Sequence, residues 1–259
     1  MSAKRSLRIV SLEPSVTAIL SALGRADWLV GVSKWCDQVA EVGDLPRVST
    51  TWCAKAEEIT ALDPDLVIAS VPYRTESVCE LLQADLDVLC LYPQRLDDVF
   101  RHILTLGRLT DASRQAEQVV ATMQGSFAAL RARRRDLPRP RVYVEIWNDP
   151  LMCASPWVAE LVDIAGGQPV PGGRSGRVSE QEILSADPQI IVVAWAGIPQ
   201  PELHKVMQRP GWQQVEAIRT GRVLAVDEMA INAPGPNLVR GAELLLSCIH
   251  PELAVEHCS

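Results

Sequence analysis

Seven tryptophans stand against three tyrosines and two phenylalanines in this chain. Four of the indoles fall at or just past predicted strands. Trp35 follows "LVGVS", Trp52 follows "RVST", Trp147 ends "VYVEI" and Trp195 ends "IIVVA". Tyr73 stands a short gap beyond "LVIAS". Aromatic rings grouped at strand ends suit a large, flat, partly apolar ligand, and indole N–H groups can hydrogen-bond its polar edges. Core packing is the competing role for each ring. Trp28, Trp157 and Trp212, in or beside helices or after "RPG", read as packing residues.

Groups for acid–base or covalent chemistry are sparse. The histidines, His102, His204, His250 and His257, show neither metal-ligand spacing nor a neighbouring Ser or Cys motif. No Walker loop, GxGxxG or GxSxG is present. Glu145, at a strand end, has three open roles: a general base, a polar contact to a ligand amide, or a helix-dipole partner. Cys36 and Cys53 each follow a strand-end tryptophan. As thiolates they are weak candidates for a soft metal centre; as thiols they are small packing residues. The glycines of "PGGRSGR", with Arg174 and Arg177, fit either an anion-binding loop or a polar surface loop.

Bulk properties narrow the classes. The 259 residues are 47% hydrophobic and 22% charged, an ordinary globular balance. A net charge of −7 argues against nucleic acid as a partner. The basic run "RARRRD" reads as the solvated end of a helix. The most apolar run, "IIVVAWAGI", is far short of the roughly 18 to 20 residues that span a bilayer, so no membrane insertion is expected. Seven cysteines, an odd count without CxxC spacing, argue against a disulfide framework or structural zinc. With no unbroken apolar h-region in "MSAKRSLRIVSLEPSVTAILSALG", the expected location is cytoplasmic.

The elements that position these residues come as a repeat. "EEITALDPDLVIAS" (Glu57–Ser70) and "QEILSADPQIIVVA" (Gln181–Ala194) align at a constant offset. Each reads as a helix, an Asp-Pro turn and a buried strand. Ser15 is the expected N-cap of the first helix and Gly24 its stop. Ser155 and Pro156 open another helix, and "SEQE" (Ser179–Glu182) fits a capping box. A proline-free stretch after Thr110 predicts one long helix. The expected fold is therefore α/β: two Rossmann-like lobes with mainly parallel sheets, bridged by one long α-helix. The expected boundaries are 1–110, 111–138 and 139–259. Ligands bind beyond the carboxyl ends of such strands, so two facing lobes would share a cleft.

"RIVSLEPSVTAILSALG", "VGVSKWCD", "LPRVSTTW" and "EEITALDPDLVIAS", continued by "ELVDIAGG", "RPGWQQVEAIRTGRVLAVD" and "APGPNLVRGAELL", cover almost the whole chain. Together they resemble the cobalamin-binding members of the class III, helical-backbone substrate-binding proteins of ABC importers. Relatives in that superfamily bind ferric siderophores, haem or free metal ions. The resemblance implies two lobes joined by a rigid helix, with aromatic residues of both lobes gripping the corrin rim. Trp52 matches such a position, Trp35 falls where a tyrosine is usual, and Trp147 lies in the second-lobe loop. "DEMAINAPGP", carrying Met229, corresponds to a further pocket-rim loop. Relatives also offer one surface carboxylate per lobe to permease arginines. Glu76 matches the first; the second falls near Gln213 and Gln214, with Glu216 close by.

The expected function is non-catalytic binding of cobalamin or a related corrinoid, for intracellular storage, delivery or salvage. The rival expectations are a haem, tetrapyrrole or ferric-siderophore binder, an ABC importer component, and a corrinoid-processing enzyme using a cleft cysteine. An ABC permease or a corrinoid-handling enzyme is the implied protein partner.

Overall fold

The computed structural model describes residues 6–172 and 175–253. The chain divides into two compact units. The first runs to Thr122 and takes in Ala233–Pro236; the second holds Met123–Asn232 and the residues from Asn237 on.

Unit 1 begins with β1 (Ile9–Ser11), α1 (Pro14–Ala22), β2 (Leu29–Ser33) and β3 (Arg47–Val48). It continues with α2 (Ala56–Thr60), β4 (Leu66–Ser70), α3 (Thr75–Gln83), β5 (Val88–Leu91) and α4 (Leu96–Leu109). The five strands form a wholly parallel sheet in the order β3-β2-β1-β4-β5. β1 is buried throughout, the mark of a sheet covered on both faces. Val10, Leu12, Ile59, Val67 and Leu81 pack in one cluster against it. The order reverses direction between β1 and β4, the kind of edge where open α/β sheets hold ligands.

Helix α1 starts two residues earlier than expected. Glu13, with extended backbone, is its N-cap, and Pro14 takes the first helical position, where its missing N–H costs nothing. Ser15 is therefore not the cap but a buried residue of the first turn. Gly24 does end the helix, at φ +66.

The long helix is α5 (Ser113–Arg133), about 31 Å at 1.5 Å per residue. The division between the units falls inside it. Ala116, Val120, Met123, Phe127 and Leu130 are its buried stripe, at helical spacing. Of the basic run that ends it, Arg131, Arg133 and Arg135 are exposed, while Arg134 is half-buried and its guanidinium donates to the carbonyls of Asp163 and Ile164.

Unit 2 contains β6 (Arg141–Asn148), β7 (Leu151–Cys153), α6 (Pro156–Ile164), β8 (Gln168–Pro169) and β9 (Gly176–Arg177). Then come α7 (Glu180–Ala186), β10 (Ile190–Val193), α8 (Leu203–Met207), α9 (Glu216–Arg219), β11 (Val223–Ala225), α10 (Glu228–Asn232) and α11 (Leu238–Ile249). The sheet runs β11-β10-β6-β7-β9, with β8 beside the start of β6. β6 is parallel to β10 and β8 but antiparallel to β7. That hairpin and the antiparallel pairing of β7 with β9 are the departures from parallel pairing among the described residues. The capping box at Ser179 and Glu182 forms as read from the sequence.

The sequence repeat is a structural one. Asp63 and Asp187, each before a proline, both take left-handed backbone, at φ 47 and φ 41. The strand after each turn lies in its own sheet beside the strand that opens that sheet's unit, β4 beside β1 and β10 beside β6.

Candidate ligand-binding site

The carboxyl ends of four unit 1 strands each lead to an aromatic residue. Trp35 follows β2 and opens a single 3-10 turn, with Lys34 Nζ 4.7 Å from its ring centre. Trp52 follows β3 on a turn closed by the Cys53 N–H donating to the Thr50 carbonyl at 3.0 Å. Its side chain stands out into solvent, 54% exposed, and its indole N–H bonds to no described residue. Tyr73 follows β4 after a cis Val71–Pro72 bond. Tyr92 follows β5, is 59% exposed, and meets Tyr73 edge to face at 6.1 Å between ring centres. Tyr92 escaped the sequence reading, although "DVLCLY" reads as a strand ending in it. Partial burial pushes the Tyr73 hydroxyl up, with Cys90 and Tyr92 adding to the shift, so it stays a neutral donor.

Beneath this row lies a buried polar cluster. The Thr17 hydroxyl lies 2.8 Å from Ser11 Oγ and 3.0 Å from Cys36 Sγ, and Ser33 Oγ is 3.3 Å from the same sulfur. Burial pushes the Cys36 thiol up, so the candidate metal ligand is a neutral thiol held by hydroxyls. Cys53 is exposed, with Thr50 Oγ1 at 3.8 Å. Among the described residues no group of three His, Cys, Asp or Glu side chains is placed to hold a metal ion.

In unit 2 the strand-end residues divide. Trp147 is 39% exposed, and its indole N–H donates across the hairpin to the Asp149 carbonyl at 2.8 Å. Trp195 is buried, and its N–H donates to Glu145 Oε1 at 3.0 Å. Glu145 itself has no exposed surface. Arg209 binds it through two nitrogens, at 2.8 and 2.9 Å, and stacks 4.3 Å above the Trp212 ring. Trp212 in turn donates to Glu180 Oε1 at 3.2 Å. Two predicted ligand contacts, Glu145 and Trp195, thus satisfy one another inside the unit. No proton acceptor is left open there for general-base work. Arg209 lies 64 residues beyond Glu145, and no local signal links the two. Met229 is half-buried on α10, its amide bonded to Asp227 and its carbonyl to Asn237. Arg177 is exposed on β9; Arg174, the other cation of the glycine loop, lies outside the described residues.

The two candidate docking carboxylates also differ. Glu76 is exposed, with Arg74 Nε at 3.7 Å. Glu216 is held by Arg141 at 3.3 Å and by the Gln189 amide at 3.2 Å.

These sites can be set beside known proteins. The chain is 26% identical over 267 residues to an uncharacterised ABC transporter substrate-binding lipoprotein of Bacillus subtilis, covering 96% of this chain and 82% of that one. It is 24% identical over 255 residues to the vitamin B12-binding protein of Vibrio parahaemolyticus, covering 95% and 89%. The periplasmic haem-binding protein RhuT of Roseiflexus has the same fold, with a TM-score of 0.82, 24% identity and coverage of 95% and 99%. A lipoprotein and a periplasmic protein among these similar chains overturn the cytoplasmic expectation and point outside the cytoplasm. The cysteine pattern behind that expectation does not discriminate, because a buried neutral thiol such as Cys36 is inert in either compartment. No helix among the described residues is long and apolar enough to cross a membrane. Residues 9–230 match the model of the periplasmic binding protein family, and with its two α/β units the chain belongs to that family, as a class III substrate-binding protein.

Proposed function

We propose that this solute-binding protein captures cobalamin or a related corrinoid, outside the cytoplasm, for an ABC importer. The aromatics of unit 1 carry the reading: Trp35, Trp52, Tyr73 and Tyr92 follow β2, β3, β4 and β5 of one sheet, two of them more than half exposed. Trp147 offers a like surface on unit 2. A corrin ring has a broad apolar face and an edge of neutral amides, which indole and phenol groups can stack on and hydrogen-bond.

Among the described residues the cations near the strand-end aromatics are Lys34, exposed beside Trp35, and two that are paired, a set that suits a neutral edge better than a pair of carboxylates. Arg209 is neutralised by Glu145, and Arg74 lies beside Glu76. A haem edge brings two carboxylates, which would call for free cations at these positions. Similarity to vitamin B12-binding proteins supports the same choice. Docking to a permease would use Glu76, whose carboxylate is open to solvent, whereas the Glu216 carboxylate is already held by Arg141 and Gln189.

Titration of the purified chain with hydroxocobalamin, cobinamide and haemin, followed by tryptophan fluorescence and calorimetry, tests the reading. Binding of a corrinoid tighter than about 100 μM, on the order of 5.5 kcal/mol, is expected. A chain that binds haemin and neither corrinoid would overturn it.

A further inference from the structure

Glu13 occupies the N-cap of α1, where a carboxylate ordinarily bonds the first free N–H groups of its helix. It makes no such bond. Its side chain reaches instead to a segment 38 residues on, where the Thr51 N–H donates to Glu13 Oε1 at 3.2 Å. Thr51 is buried, and the next residue is the exposed Trp52. The other side of that turn is held as well: Ser77, buried on α3, donates its hydroxyl to the Trp52 carbonyl at 3.3 Å. The backbone is thus held at the Thr51 N–H from the N-cap of α1 and at the Trp52 carbonyl from α3, while the Trp52 ring is exposed.

We infer that Glu13 is the positioning residue of the Trp52 turn, fixing the direction in which unit 1 presents that ring. The consequence for affinity rests on Trp52 facing the ligand, as proposed above; the clamp itself does not. Glu13 is nearly enclosed, and burial lifts its carboxyl to about 8, against the lowering pull of Thr51. At neutral pH it is a neutral acid, which can sit in the enclosed site without a counter-ion. Above pH 8 a carboxylate forms there. Among the described residues the titratable group coupled to it is Cys36, whose thiol is also pushed up by burial, and no described cation answers the new charge. The carboxylate then draws in water and tightens its bond to the Thr51 N–H, so the surroundings of the Trp52 turn change.

The test uses the free chain, with the Trp52 contribution taken as the difference from Trp52→Phe. In the wild type, Trp52 emission shifts with a midpoint near pH 8. Glu13→Gln, which keeps an acceptor but cannot ionise, holds the low-pH emission to pH 9.5. Hydrogen exchange at the Thr51 amide accelerates at least tenfold in Glu13→Ala at pH 7. Should Glu13→Ala fail to fold, the emission titration of Glu13→Gln decides alone. A wild type without the titration, or a Glu13→Gln chain that titrates like it, overturns the inference. If the titration appears and no corrinoid binds, the ligand reading fails and the clamp stands.

Discussion

Arg8 and Arg141 hold the same turn, one in each unit. The Arg8 guanidinium donates to the carbonyls of Leu62 and Asp63 at 2.6 and 2.7 Å, and its backbone N–H donates to the Asp65 carboxylate at 2.8 Å. The Arg141 guanidinium donates to the carbonyls of Ala186 and Asp187 at 3.0 and 2.8 Å, and its N–H donates to the Gln189 side chain at 3.1 Å. Each arginine stands where its unit's first strand begins. Each caps the helix whose end the Asp-Pro turn leaves open, so the repeated sequence carries a repeated hydrogen-bond device.

Arg141→Ala should lower stability by about 1.5–3 kcal/mol, the range for bonds from a charged donor. Arg141→Lys should recover little, because one ammonium cannot serve both the carbonyls bonded by Nε and the Asp187 and Glu216 carboxylates bonded by Nη2. Urea unfolding of unchanged m-value but lower midpoint would show this; Arg8→Ala gives the matching measurement in unit 1.

Much of this frame was legible in the residues. β2, the opening of α6 at Ser155 and Pro156, and the capping box of α7 fall on the residues read from sequence, because local residue types decide them. The N-cap of α1 was misread since Ser15 is the better capping residue by type, while Pro14 decides the register. The β6–β7 hairpin went unread, although "NDP" at its turn was a signal. At the site, residue type located the strand-end aromatics but not their exposure. Trp147 and Trp195 look alike in sequence; a buried carboxylate and an arginine brought from far along the chain turn one inward.

Arg209→Ala should be strongly destabilising, by about 3–5 kcal/mol, because it strands the Glu145 carboxylate without a counter-ion. The double replacement Glu145→Gln with Arg209→Met should cost less than Arg209→Ala alone. A double-mutant cycle by chemical denaturation measures the difference.

Stability should fall with rising pH across the window set by Glu13. Its carboxyl moves from an ordinary 4.5 to about 8 on folding. Between those values the folded chain keeps a proton that the unfolded chain has lost, so the stabilisation is complete below pH 4.5 and gone above pH 8. The full span is on the order of 5 kcal/mol. Glu13→Gln should remove this contribution, so that its stability relative to wild type improves from pH 5 to pH 8.5 in urea melts.

Tyr92→Ala should weaken corrinoid binding by about 1 kcal/mol, roughly fivefold, with little effect on stability, since the ring is largely in solvent. Trp195→Phe should show the opposite pattern, costing stability by leaving Glu145 one donor short. Parallel calorimetry and thermal melts separate the two.

The central claim is that the exposed indoles Trp52 and Trp147 are both corrinoid-contacting residues. Corrinoid titration of Trp52→Ala, Trp147→Ala and the double variant, each checked by circular dichroism, tests it most directly. Each single change should weaken binding about ten- to thirtyfold, or about 1.4–2 kcal/mol, and the double variant more than either. Wild-type affinity in both single variants, with folding intact, would contradict it.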